Sequence, residues 1–174
     1  KILDFEKNLI NGGSINFNLA LKESDQKVNY KKIQSLRQYE IKNKVNSLNY
    51  IKYFFKLVKT NIKKINNNIK SLNGKVYGFG ASTKGNVTLQ LCNLNNQNII
   101  SIYDINKEKF GSYTPGSKIK IVNEKNIIKD QPKYLIFLIW HFKKTISEKL
   151  KKFKLKKTNY IWLFPKYKIT KSKF

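Results

Sequence analysis

The stretch K-V-Y-G-F-G-A-S-T-K-G-N, Lys75–Asn86, decides the fold of this chain. A short β-type run ends in Gly78-x-Gly80, and helix-like sequence, Asn86-Val-Thr-Leu-Gln-Leu, follows Gly85. Strand, glycine turn and helix N-terminus in that order let backbone N–H groups and the helix dipole hold a phosphate. Lys84 adds a positive charge, and Ser82 and Thr83 add hydroxyls, so an anionic ligand is expected. The spacing is G-x-G-x4-G, which departs from the G-x-G-x-x-G of dinucleotide folds. Such a turn also serves tight strand–helix packing, and both readings stand at this point.

Outward from this stretch, the chain toward the C-terminus alternates short apolar runs with helical patterns. Strand Lys75–Phe79 leads to helix Lys84–Asn93 and strand Ile99–Tyr103. An apolar run at Ile119–Val122 precedes a helical turn near Glu124–Ile128. Strand Tyr134–Ile139 leads to helix Lys143–Phe153, and strand Tyr160–Phe164 closes the series. Buried strands alternating with helices predict a parallel sheet with right-handed crossovers, a Rossmann-like α/β fold. Toward the N-terminus, Ile41, Val45, Leu48, Ile51, Phe55, Val58, Ile62, Ile65, Ile69 and Leu72 recur at steps of three and four, and Asn73-Gly74 stops the pattern. That is one long amphipathic helix. Before it, alternation over Ser14–Leu21 after Asn11-Gly12-Gly13 predicts a strand. The expected organisation is therefore an N-terminal strand and connector (1–38), a long helix (39–73), a Rossmann-like domain (74–165) and a polar, frayed tail (166–174).

Composition narrows the function. The 174 residues carry 36 Lys and Arg against 10 Asp and Glu, a formal charge of +26. Only Arg37 is an arginine, whereas recognition of phosphates and bases leans on the arginine fork. The lysines are spread along the whole chain among Asn and Ile, which reads as compositional drift across all surfaces. Charge-driven polyanion binding is expected at low salt, with no specific nucleic acid as partner. No apolar run approaches the roughly 18 residues a membrane span needs. Cys92 is the one cysteine. It sits at helical spacing with Leu89, Leu91 and Leu94, reads as a buried inert thiol, and suits a cytoplasmic location. The chain begins at Lys1 without any Met and reads as a piece of a longer protein.

In an open parallel sheet, ligands bind beyond the carboxyl ends of the strands. The Gly80–Gly85 loop follows the first strand, Asp104 ends the second and Trp140-His141 follows the fourth. The loop Tyr113-Thr114-Pro115-Gly116 follows the second strand as well, and all four are expected at one edge. His141, the only histidine, is either a structural hydrogen-bonder or a proton shuttle near neutral pH. Asp104 either binds a ribose hydroxyl or caps the turn at Asn106 and Lys107. The Tyr113–Gly116 segment is a turn first, with an aromatic ring and a hydroxyl that can face a sugar.

Together, G-F-G-A-S-T-K-G-N at 78–86, Y-T-P-G-S at 113–117, W-H-F at 140–142 and G-G-S at 12–14 resemble the C-terminal domain of SAM-dependent sugar C-methyltransferases. The resemblance runs in order from about Gly12 to Pro165. Ile139 stands where a proline commonly precedes W-H-F, and Lys120 departs from the usual proline. By this resemblance the domain closes a cleft over a nucleotide-diphosphate sugar, a keto-deoxysugar. Gly80, Ser82, Thr83, Lys84, Gly85 and Asn86 are then candidates for phosphate or sugar contacts. Tyr113, Thr114, Trp140 and His141 lie on the sugar side, with His141 the catalytic candidate. The resemblance also implies that SAM and zinc belong to other domains, so that this chain holds no cofactor or metal of its own. Its expected partner is a SAM-binding methyltransferase domain, in cis or on a separate chain, and the chain alone is expected to be inactive. The rival is a dinucleotide-binding module of an NAD-dependent oxidoreductase, which the glycine turn and Asp104 favour. A basic polyanion binder is a third reading, and it needs a one-sided lysine patch.

Overall fold

A computed structural model describes residues 1–164 and 166–172. The chain divides into two compact units, 1–58 and 59–174. The first opens with strands β1 (Ile2–Asn8) and β2 (Ser14–Leu19), paired antiparallel. The turn between them uses left-handed backbone at Asn11, Gly12 and Gly13, which explains the Asn-Gly-Gly sequence. Helix α1 (Tyr30–Lys42) follows, its first turn capped by Asn29, whose side chain accepts from Lys32 N–H. Phe5 is the buried anchor of this unit. Its ring lies 6.4 Å from Phe17, with the Lys32 ammonium over its face and 2.8 Å from Asp4.

The long helix is present as α2 (Leu48–Lys70), with the boundary between the units inside it. It starts later than the apolar periodicity predicts. At 43–47 the chain leaves helical geometry, with Lys44 at φ 52°, and Ser47 Oγ then accepts from Tyr50 N–H at the new start. The apolar spacing continues through that break, so periodicity alone hides it.

The second unit is a six-stranded sheet in the order β5-β4-β3-β6-β7-β8. Its strands are β3 (Val76–Phe79), β4 (Ser101–Asp104), β5 (Lys120–Asn123), β6 (Tyr134–Phe137), β7 (Asn159–Trp162) and β8 (Lys168–Lys171). The first five are parallel and β8 is antiparallel to β7. Helix α3 (Thr83–Leu91) follows β3, the short α4 (Ile127–Asp130) follows β5, and α5 (Lys143–Lys152) follows β6. This is the Rossmann-like α/β architecture that the alternating pattern predicts.

Alternation of side chains sorts the strands between two cores. On one face Val76, Ile102, Ile136 and Ile161 pack with Leu89 of α3 and Ile65 and Ile69 of α2. On the other face lie Tyr77, Phe79, Tyr103, Phe137 and Trp162, under Ile146 and Leu150 of α5. Tyr77 stacks on Tyr103 at 5.3 Å and Phe137 on Trp162 at 4.2 Å, so the second core is largely aromatic. Cys92 is buried at the end of α3, and desolvation pushes its thiol up to about 11, which makes it inert.

The tail expected to fray instead supplies β8, from Lys168 to Lys171; residues 173–174 lie outside the described residues. Tyr167 packs against the first core, and Ser172 N–H donates to Thr158 O at 2.8 Å. An edge strand tolerates lysines on its outward face, so its polarity does not argue against pairing.

Candidate functional site

The strand order reverses between β3 and β6, the two central strands. Outward from β3 the chain builds β4 and β5 on one side, then crosses to build β6 and β7 on the other. The crevice at the carboxyl ends of β3 and β6 is the switch point where open α/β sheets bind ligands. The Gly80–Asn86 loop and Trp140-His141 both open there.

Within that crevice the three glycines serve packing. A Cβ on Gly78 would lie 2.8 Å from Ile102, and one on Gly85 would lie 2.7 Å from the Leu138 Cβ. Gly80 has φ +86°, and a Cβ there would meet three Ile139 carbons at 2.6–2.8 Å. In a dinucleotide fold the second glycine leaves room for a pyrophosphate. Here the Ile139 side chain covers that face.

Ser82 is the N-cap of α3. Its hydroxyl accepts from Gly85 N–H at 3.0 Å and donates to Leu138 O at 3.2 Å, so it ties the glycine turn to the end of β6. Asp104 has a similar bracing role. One carboxylate oxygen accepts from Ala81 N–H at 2.7 Å and the other from Asn106 N–H at 2.8 Å. Lys109 closes the set, donating to Ala81 O at 2.9 Å. The turn-cap reading of Asp104 is thus realised, with the glycine turn as a second client.

The remaining predicted residues divide between two edges of the sheet. Thr83, Lys84 and Trp140 line one cleft of about 590 Å³, together with Val87, Thr88 and Phe164. The Trp140 and Phe164 rings lie 4.8 Å apart and tilted, forming an aromatic wall. His141 sits beside this wall, edge-on to Trp140 at 5.9 Å. Burial first, and the nearby Lys84 charge second, hold its imidazole below the usual histidine range. Among the described residues, His141 Nδ1 and Asn86 Oδ1 are buried without a hydrogen-bond partner, a costly state for polar atoms.

Tyr113 and Thr114 are not brought to this edge. After Asp104 the chain doubles back along β5: Ile121 N–H donates to Ser112 O and Thr114 N–H to Ile119 O. This carries the turn to the amino-terminal edge, where Ser117 O accepts from Asn96 N–H and Pro115 O from Gln90 on the last turn of α3. Thr114 is buried there, its hydroxyl 2.7 Å from Ser117 Oγ and accepting from Ile119 N–H, while Tyr113 is exposed. The expectation of four converging loops is corrected to three. The return is made by extended chain rather than by a helix, and no residue pattern announces that.

The family described as C-methyltransferase C-terminal domain matches residues 9–165. The chain belongs to that family. It is also similar to C-methyltransferase NovU of Streptomyces niveus, at 30% identity over 96 residues, which is 55% of this chain and 23% of the relative. The chain therefore spans about a quarter of that relative's length.

In this C-methyltransferase C-terminal domain, reading the sequence alone misses Phe164 and Lys109. Phe164 lies two residues past the end of β7, so the rule of strand carboxyl ends points to it once the strand is ended at Trp162. Lys109 had no such signal, being one lysine among many. Among the described residues no group of three His, Cys, Asp or Glu side chains is placed to hold a metal ion, and no helix is long and apolar enough to cross a membrane.

Proposed function

We propose that this C-methyltransferase C-terminal domain binds the nucleotide-sugar for methylation at a carbon next to a ketone, while a separate domain or chain holds the methyl donor SAM. The observation that carries the reading is the cleft of Lys84, Trp140 and Phe164 at the switch point, with His141 beside it. The helix N-terminus and the Lys84 ammonium suit a diphosphate. The Trp140–Phe164 wall suits the apolar face of a deoxysugar.

Bond formation at such a carbon passes through an enolate, and SAM, where bound, supplies the methyl electrophile. As the proton leaves, charge grows on the ketone oxygen, and a donor facing that oxygen lowers the barrier. His141 is the group here with that capacity, because its depressed pKa keeps the imidazole neutral and able to donate through one nitrogen. Lys84 holds the anionic end of the substrate. Ile139 over Gly80 and the engagement of both Asp104 oxygens weigh against a dinucleotide or SAM at this turn.

Calorimetry with dTDP, NAD and SAM, in salt that suppresses lysine-driven binding, tests the reading. Binding of dTDP, weakened in Lys84→Ala and unmatched by NAD or SAM, is the expected result. Tight NAD binding that is lost on changing Asp104 would replace it with the oxidoreductase reading.

A further inference from the structure

Lys143, Ser147, Leu150 and Lys151 fall at steps of three and four along α5, so they share one face of that helix. Leu150 is buried in the aromatic core, while the other three are exposed. A cavity of about 220 Å³ separates this face from β7 and β8. Its strand side is made by Tyr160 and Trp162 of β7 and by Thr170 and Lys171 of β8. Tyr160 and Thr170 are direct cross-strand partners, and alternation puts Trp162 on the same side of the sheet as Tyr160. Lys143 holds its ammonium over the Trp162 ring, 5.0 Å from the centroid. The function proposed above makes no use of this groove.

We propose that the groove binds a small planar organic anion, an aromatic ring that carries a carboxylate. The inference is independent of the nucleotide-sugar reading. Charge calls for an anion: among the described residues, Lys143, Lys151 and Lys171 have no carboxylate within ion-pairing distance. Lys149, on another face of the same helix, is by contrast held by Glu124 at 2.6 Å. An uncharged ligand would strip water from three ammonium groups with nothing in exchange. The floor calls for a ring, since Tyr160, Trp162 and Leu150 offer apolar and aromatic surface that a bare inorganic anion leaves wet. Burial pushes the Tyr160 phenol above its ordinary range, so it stays neutral and able to donate to a carboxylate. The volume lies below the roughly 300–1,000 Å³ of sites for larger ligands, which suits a single ring.

An NMR titration of the ¹⁵N-labelled full chain at fixed, raised salt tests the proposal, with benzoate as probe and benzyl alcohol and acetate as its two halves. Benzoate is expected to shift the Trp162 indole N–H and the Thr170 amide saturably, about tenfold or more tighter than either half. Ser147→Phe, at an exposed position, fills the groove and is expected to weaken benzoate by about tenfold. Lys171→Gln removes charge at the sheet edge without touching the core, and is expected to weaken benzoate severalfold while leaving benzyl alcohol unchanged. Absence of a saturable shift at Trp162 would overturn the proposal. So would benzyl alcohol or acetate matching benzoate, or benzoate affinity unchanged in both variants.

Discussion

Asp104 shows how one residue can satisfy a functional motif and do something else. An acid at the end of the second parallel strand is where a dinucleotide fold holds its ribose, yet both oxygens here accept backbone N–H groups. Asp104→Ala leaves the buried Ala81 N–H without an acceptor, at a cost of about 1–3 kcal/mol. The Lys109 contact adds little, because its 3.8 Å pair is partly in water. Urea unfolding is expected to show that loss, with Asp104→Asn intermediate because one acceptor oxygen survives; an unchanged midpoint in Asp104→Ala would refute the bracing role. The residue-level lesson is uneven. The sequence identified Lys84, Trp140 and His141 as members of one edge, because strand ends follow from apolar runs. It left Gly80 and Asp104 open, because a glycine whose space is filled by Ile139 and one left clear for a phosphate have the same letter.

At the scale of elements, legibility followed burial. The parallel strands β3 to β7 announce themselves because both faces are covered and their residues run apolar. β8 does not: Lys168–Lys171 offers Ile169 alone as an apolar residue, and that side chain is itself partly exposed. Its stabilising contribution comes from ladder bonds to β7 and from Tyr167 on the core. Removing residues 166–174 strips β7 of four paired positions, a loss of roughly 1–4 kcal/mol at cross-strand pair values. The expected outcome is a lower urea midpoint and a tendency of the bared β7 edge to self-associate. A truncated chain as stable as the parent would show β8 to be ornamental. The turn at 113–117 failed for a different reason. A crossover made of extended chain, returning along β5, has no periodicity that separates it from a loop projecting at the opposite edge.

At the scale of the whole molecule, charge and fold give separate messages. A net charge of +26 with a single arginine is a surface property and predicts salt-sensitive attraction to any polyanion. The strand order is a separate matter: it places the α3 N-terminus and the W-H-F turn together at a switch point. Family membership over residues 9–165 fits that placement, and the 96 residues matched to C-methyltransferase NovU make up 23% of that relative.

The central claim is that a nucleotide-sugar sits at this switch point, and amide chemical-shift mapping of the ¹⁵N-labelled chain during a dTDP titration at raised salt tests it most directly. The predicted shifts cluster at Gly80–Asn86 and Ile139–Phe142 and leave Ser112–Lys118 still. Shifts centred on Tyr113–Ser117, or a spectrum that responds to NAD and ignores dTDP, would contradict it.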